Sequence, residues 1–210
     1  MGQSNPVSQK HLKDKSVFYL LAGPNGAGKS TLYKALVHGG TIPAAAEFVN
    51  ADLHEGEHLQ HIADPQVRSE AARLWADARR ADLLKAGQSF VSETVFSHES
   101  KLALIGEAQA QGFFVMLLVV CLDNPNHLLK RVANRVAEGG HNVPAERILA
   151  RYPRTLANLA VAVRIADAAV LYDSYAVAAG THAAVAVCKR EWTQEKVVLL
   201  PRWAKAALTA

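Results

Sequence analysis

Only two of the 210 residues are cysteine, Cys121 and Cys188. Two such residues build no disulfide framework, and Cys121 sits in an apolar run where a core role is expected. A reducing cytoplasm is therefore the default compartment. Long apolar runs are missing as well. The longest, Phe113 to Leu122, has ten residues. A spanning helix needs roughly 20, so no membrane segment is expected. Met1 to Lys15 is polar and lacks the apolar core of a secretory signal. It begins Met-Gly, but residue 6 is Pro where a myristoylation signal wants Ser or Thr. Internal repeats and low-complexity linkers are absent too. A large excess of one charge is also missing: the formal net charge is +4. So mild a basic excess suits a phosphorylated ligand as well as a nucleic acid. The six arginines between Arg131 and Arg164 are bunched rather than spread like a DNA-binding face, so nucleic acid is not the expected partner.

What is present is an alternation of strand and helix. Apolar residues make up 50% of the chain, enough for one good core. Val17 to Ala22 reads as a short strand and Lys29 to Val37 as a helix stopped by Gly39-Gly40. Glu47 to Asn50 reads as a second strand. A long helix runs from Pro65 to Ala86, with Ala71, Leu74, Ala78 and Leu83 available for its buried side and Gly87 as its stop. Ser89 to Ser92 is a third strand, followed by a helix from about His98 to Gln111. The unbroken run Phe113 to Leu122 has the character of a central parallel strand buried on both faces. Helices are expected at about 125–138 and 144–163, and strands at Ala169 to Tyr172, Ala183 to Cys188 and Lys196 to Leu200, the last two near an edge. The pattern is that of an α/β fold with a mainly parallel sheet flanked by helices. It predicts a flexible segment over 1–15 and a single domain over 16–210.

Gly23-Pro24-Asn25-Gly26-Ala27-Gly28-Lys29-Ser30-Thr31 meets the pattern G-x-x-x-x-G-K-[ST] in full. Its glycines let the backbone wrap so that successive N–H groups face phosphate, and the following helix offers its positive end to the same charge. Lys29 is expected at the β- and γ-phosphates and Ser30 on Mg²⁺. The ligand is a nucleoside triphosphate, with ATP the expected one. A GTPase would carry an N-K-x-D guanine motif, which the sequence lacks, and a large motor or AAA-type ATPase would want far more chain. The economical reading is a small-molecule kinase of the nucleotide-kinase type, with an Arg-rich helical lid over about 125–155.

Ligands on such sheets bind at the carboxyl ends of the strands, where three acids stand. Asp52 either accepts a proton from a substrate hydroxyl or caps the next helix. Glu93 either binds Mg²⁺ through water, holds a substrate hydroxyl, or is a solvated strand end. Asp123 either resembles a generic Walker B aspartate or caps a helix that starts at Asn124-Pro125. Arg131 and Arg135 share one helix face, and Arg147 and Arg151 repeat that spacing on the next helix, with Arg154 close behind. Two such helices joined by Gly139-Gly140 could clamp triphosphate charge, because the guanidinium fork matches phosphate oxygens. Beside the glycines, His141 is either a phosphate contact or a plain loop residue.

Taken together, GPNGAGKST (23–31), FVNAD (48–52), SFVSETVFS (89–97) and RVAEGGHNVPAERILARYPRTLANL (135–159) resemble the zeta-toxin family of P-loop kinases. The matches run in order from about residue 17 to 175, and GGHNVP with the following RY is similar to the short bacterial branch. The resemblance implies a nucleotide-kinase-like α/β fold, ATP with Mg²⁺, and transfer of phosphate to a sugar hydroxyl of UDP-N-acetylglucosamine. It also implies an antitoxin partner. Residue by residue it implies Lys29 and Ser30 on phosphate and metal, and Asp52 as the base. Glu93, with Thr94 beside it, would contact substrate. Arg135 and either Arg147 or Arg151, with Arg151 favoured, would sit on phosphate. The strand-three motif departs at Val95-Phe96, where many short relatives have Thr-Leu.

Overall fold

The computed structural model describes residues 15–138, 143–175, 182–190 and 192–209. The expected flexible segment over 1–15 lies outside them but for Lys15, and so do Gly139, Gly140 and His141. Among the described residues seven strands form one sheet in the order β2-β3-β1-β4-β5-β6-β7. They are β1 (Val17–Ala22), β2 (Glu47–Val49), β3 (Phe90–Thr94), β4 (Phe114–Cys121), β5 (Ala168–Asp173), β6 (Ala183–Lys189) and β7 (Trp192–Glu195). The first five run parallel, and β6 and β7 add an antiparallel edge. The helices are α1 (Lys29–His38), α2 (Ala51–His58), α3 (Pro65–Lys85), α4 (Ala103–Ala110), α5 (Pro125–Ala137), α6 (Ala145–Ile165) and α7 (Arg202–Thr209). None of them is long and apolar enough to cross a membrane.

β4 lies between β1 and β5 and is buried on both faces, as its sequence predicts. Val115, Leu117, Val119 and Cys121 enter one apolar cluster with Phe18, Phe90, Leu159 and Trp203. Leu118, Val120 and Leu122 enter the other, with Leu21, Leu32, Val91 and Leu128. Strand alternation puts neighbours on opposite faces, so a strand covered twice must be apolar throughout. Cys121 and Cys188 are both buried and unpaired.

Several expectations need correction. Of the four residues offered as the buried side of α3, only Leu83 is buried; the inner face is Ala72, Ala76, Arg80, Leu83 and Leu84. Leu74 is exposed. An inward Arg80 hides this stripe from an apolar count. The helix expected from His98 is split: Glu99–Lys101 forms a 3₁₀ turn, and α4 begins at Ala103. The edge strand forms at Trp192–Glu195 rather than at Lys196 to Leu200. Its register follows the reversal beside Arg190, whose φ is 51°, so the residues nearest the reversal pair with β6. Val198 and Leu199 are left exposed in the bends before Pro201. Finally, α2 and α7 were not expected: α2 carries no strong apolar period, whereas α7 buries Trp203, Ala204 and Ala207 on one face of a helix only eight residues long. Polar contacts hold α2: Asn50 caps it, Glu55 pairs with Arg68 of α3 at 3.2 Å, and His54 stacks on Trp75.

Candidate functional site

The site assembles where β1, β2 and β3 end. Beyond Ala22 the chain turns through the P-loop, and Gly28, with φ 95°, caps α1. Gly23 has φ 149°, and a Cβ built there would stand 2.0 Å from the Val120 carbonyl oxygen of β4. The first glycine is thus required by close approach to the neighbouring strand, as well as by the wrapping argued from sequence. Lys29 is only 5% exposed. Its Nζ donates to the carbonyls of Gly23 at 2.9 Å and Pro24 at 3.1 Å, and lies 3.4 Å from Glu93 Oε1. Those carbonyls hold the ammonium at the loop's mouth.

Glu93 is the hub. Its Oε2 accepts from Asn50 Nδ2 at 3.0 Å and from Ser30 Oγ at 3.4 Å. The bland alternative of a solvated strand end does not describe it. Asn50 also accepts from the Leu53 amide at 3.1 Å through Oδ1 and so caps α2. Of the two readings left open for Asp52, the cap therefore falls to Asn50. Asp52 sits exposed in the first turn of α2. Thr94 fixes the loop instead of facing the P-loop cavity: its carbonyl accepts from the Gly23 amide at 3.3 Å, and its Oγ1 from the Phe96 amide at 3.3 Å. Phe96 is fully buried with φ 57°, and its carbonyl accepts from Asn158 of α6 at 2.8 Å.

A cavity of about 280 Å³ opens over these groups. Its lining includes Asn25, Gly26, Gly28, Lys29, Ser30, Thr31, Asp52, Glu93, Arg131 and Arg135. Three cations against two carboxylates leave it suited to an anion. The one-turn spacing of Arg131 and Arg135 brings both to it. Arg131 is anchored by Ser174, donating to its hydroxyl at 3.1 Å and to its carbonyl at 2.5 Å. Burial pulls its guanidinium below the ordinary arginine range, with Asp173 opposing. Arg151 is not among the described lining residues. It is half-buried on α6, and burial, then Arg147 and Arg154, lower its pKa. Arg147 lines a different, wide groove with Asp64, Pro65, Glu70 and Leu74 along the start of α3.

Two neighbours of the loop, Asn50 and His182, were missed by sequence reasoning, and a third, Arg131, was named but not singled out. Asn50 lay inside a quoted motif, and only its contact with Glu93 reveals its place. Arg131 was noted for its spacing, but without Ser174 nothing favoured it over Arg151. His182 follows the P-loop by about 150 residues and carries no motif. Its Nε2 lies 2.9 Å from where a Cβ on Gly28 would be. Among the described residues neither ring nitrogen meets a partner in strict hydrogen-bond geometry. Burial lowers its pKa, the nearby Gly28 backbone opposes that, and Arg131 adds to the lowering.

Asp123 is committed elsewhere. Its carboxylate accepts from the amides of Arg202 at 3.0 Å and Trp203 at 2.7 Å, which makes it the N-terminal cap of α7. Asn124, accepting from the Asn126 amide at 3.0 Å, caps α5. Capping is right for Asp123, but on a helix 79 residues away. Among the described residues no group of three His, Cys, Asp or Glu side chains is arranged to hold a metal alone.

Known proteins share this architecture. A Haemophilus influenzae protein of no described function is 26% identical over 141 residues, which cover 67% of this chain and 94% of its own. A structure from the PezAT chromosomal toxin–antitoxin system of Streptococcus pneumoniae superposes with TM-score 0.62, at 13% identity, over 92% of this chain and 76% of that one. The AvrRxo1-ORF1:-ORF2 structure with ATP gives TM-score 0.67 at 16% identity, over 90% of this chain and 64% of that one. At such identities these likenesses show the fold, which is that of the P-loop kinases. A family profile described as AAA domain matches residues 19–156, from β1 into α6. Excluding every AAA-type protein on chain length was therefore too broad. With the P-loop, the strand-three motif, α5 and Arg147, Arg151 and Arg154 of α6 inside that match, the protein belongs to the AAA domain family, in a P-loop kinase-like form.

Proposed function

We propose that the protein is an ATP-dependent kinase that transfers the γ-phosphoryl group to a hydroxyl of a small molecule. The observation that carries this reading is the convergence of Lys29, Ser30, Asp52 and Glu93 with Arg131 and Arg135 around one cavity. A bond forms between the acceptor oxygen and the γ-phosphorus while the bond to the β–γ bridging oxygen breaks, and ADP leaves with that electron pair. The hydroxyl proton passes to Asp52, whose exposure lets it be lost to water. The transition state is loose, so positioning and charge dominate. Lys29 would exchange the Gly23 and Pro24 carbonyls for phosphate oxygens. Arg131 and Arg135 would approach the same charge from α5. Ser30 and Glu93 suit a Mg²⁺ shared with phosphate and water; such an ion would neutralise charge on the β- and γ-phosphates. Glu93 and Thr94 are assigned to the acceptor side.

UDP-N-acetylglucosamine, implied by the zeta-toxin resemblance, is the first candidate acceptor. An antitoxin-like protein partner is supported by the two structural relatives, one a toxin–antitoxin system and the other a complex of two open reading frames. A cytoplasmic site is consistent with an ATP requirement and with two unpaired thiols. The test is incubation with ATP, Mg²⁺ and a metabolite panel that includes UDP-N-acetylglucosamine, following labelled γ-phosphate. Asp52→Asn is expected to bind ATP normally and to lose about 10²–10⁴-fold in turnover. Near-wild-type turnover by that variant would remove Asp52 as the base. An unmodified sugar nucleotide, with ATP bound, would remove that acceptor.

A further inference from the structure

Glu93 lines a second, smaller cavity on the side away from the P-loop. It holds about 100 Å³ and is lined also by Thr94, Arg73, Arg80 and Lys101. Three cations thus meet at the carboxyl end of β3, from two elements that share no motif. Arg80 is the innermost, only 8% exposed. Its Nη1 donates to Ser92 Oγ at 3.3 Å and its Nη2 to Asp77, but among the described residues its buried Nε has no hydrogen-bond partner. A buried guanidinium N–H without an acceptor is costly, and in native proteins such a donor calls for an explanation, such as a bound ion or water. Lys101 enters from the 3₁₀ turn before α4. Among the described residues it has no carboxylate within ion-pair distance, since the ion pairs of this region are Arg73 with Glu70 and Asp77, and Arg80 with Asp77. Burial depresses its pKa; Asp77 opposes this, and Arg80 and Arg73 push it down further. Arg73 forms the rim, tied down by Glu70 and Asp77.

Asp77, already paired with Arg73 and Arg80, and Glu107 bear on Arg80 from outside the lining, and the one acid among the described lining residues is Glu93. Both its oxygens are already engaged on the other side, by Lys29, Ser30 and Asn50. It stands as a wall between donor and acceptor. We propose that this cavity is an anion subsite of the acceptor, in which Arg80 and Lys101 hold a carboxylate or phosphate group. The acceptor is then a carboxylated or phosphorylated alcohol, anchored on one side of Glu93 with its hydroxyl turned toward Asp52 and the P-loop. The volume admits one such group and leaves the rest of the acceptor outside. Arginine and lysine divide the work in the usual way, a fixed fork deep inside and a mobile point charge at the entrance. This inference rests on the kinase reading for its purpose, though not for its binding chemistry.

The test fills the P-loop first, because that loop would itself take up free phosphate. The full chain saturated with ADP and Mg²⁺ is titrated with inorganic phosphate and, separately, acetate, following amide resonances by NMR. Saturable shifts at Thr94 and Lys101 are expected, and the stronger of the two ions identifies the anion class. Lys101→Met should weaken that binding about tenfold, in line with loss of a charge-assisted contact, with ADP affinity unchanged. Arg80→Lys, which keeps the buried charge and the fold, should weaken it as well. No binding to the ADP-loaded protein, or equal binding by Lys101→Met, overturns the subsite. A Lys101-dependent anion site in a protein that phosphorylates nothing would sink the kinase reading and leave the subsite standing. Transfer to a neutral alcohol, unchanged by Lys101→Met, would do the reverse.

Discussion

Gly23 shows how one residue can serve two masters. Phosphate binding asks for glycine because backbone N–H groups must face the ligand, while the sheet asks for glycine because Val120 O occupies the Cβ position. A backbone oxygen cannot rotate away, so Gly23→Ala is expected to lower stability by about 3 kcal/mol or more. Gly40 is the control, with φ 71° and nothing among the described residues within 4 Å of a built Cβ. Gly40→Ala should lose only about 1 kcal/mol, the left-handed penalty alone. Urea denaturation of both variants checks this, and equal losses would disprove the clash. Cys121 offers a second test. Burial pushes its thiol up to about 12, so the nucleophilic thiolate is scarce at ordinary pH. Iodoacetamide at pH 8 is expected to label it only once the protein unfolds.

At the scale of elements, burial decided what could be read. The strands were legible because β1, β3 and β4 are covered by apolar clusters, and a doubly covered strand has one kind of sequence. α2 was illegible because Glu55 is its only buried residue, and an amphipathic search looks for apolar ones. The edge strand was misplaced because Val197 to Leu200 outscore Trp192 to Glu195 in apolar content, while the reversal beside Arg190 sets the pairing. α7 depends on Asp123 at its N-terminus and on Trp203, whose Nε1 donates to Asp173 at 3.2 Å. Asp123→Ala removes the cap, an expected loss of about 1–2 kcal/mol. Amide exchange should accelerate over 202–209, with ATP affinity unchanged. Loss of Mg²⁺-dependent ATP binding in that variant would instead restore the Walker B reading.

Across the whole molecule, the donor half of the site was legible because it is local: one loop, its strand and its helix. The rest depends on long-range neighbours. Glu93 meets Asn50 across 43 residues and Arg131 meets Ser174 across another 43, and no spacing rule foretells either. That is why the second lid arginine was assigned to Arg151 by resemblance, while the cavity is lined by Arg131. The two assignments differ in a global observable. A ligand that binds only the folded state stabilises it by RT ln(1 + [L]/Kd), about 2.7 kcal/mol at a hundredfold excess over Kd. For a domain of this size that raises Tm by about 5–10 °C. Lys29→Ala should abolish the ATP-induced rise. Arg131→Ala and Arg135→Ala should each weaken ATP about tenfold, which removes about 1.4 kcal/mol of it. Arg151→Ala should leave the rise within about a degree of wild type, a spread far below that 1.4 kcal/mol loss. The rise is measured against each variant's own ligand-free Tm, so any loss of intrinsic stability, as when Ser174 loses its partner, drops out. A collapsed rise in Arg151→Ala beside an intact one in Arg131→Ala would return the lid to the arrangement implied by the zeta-toxin resemblance.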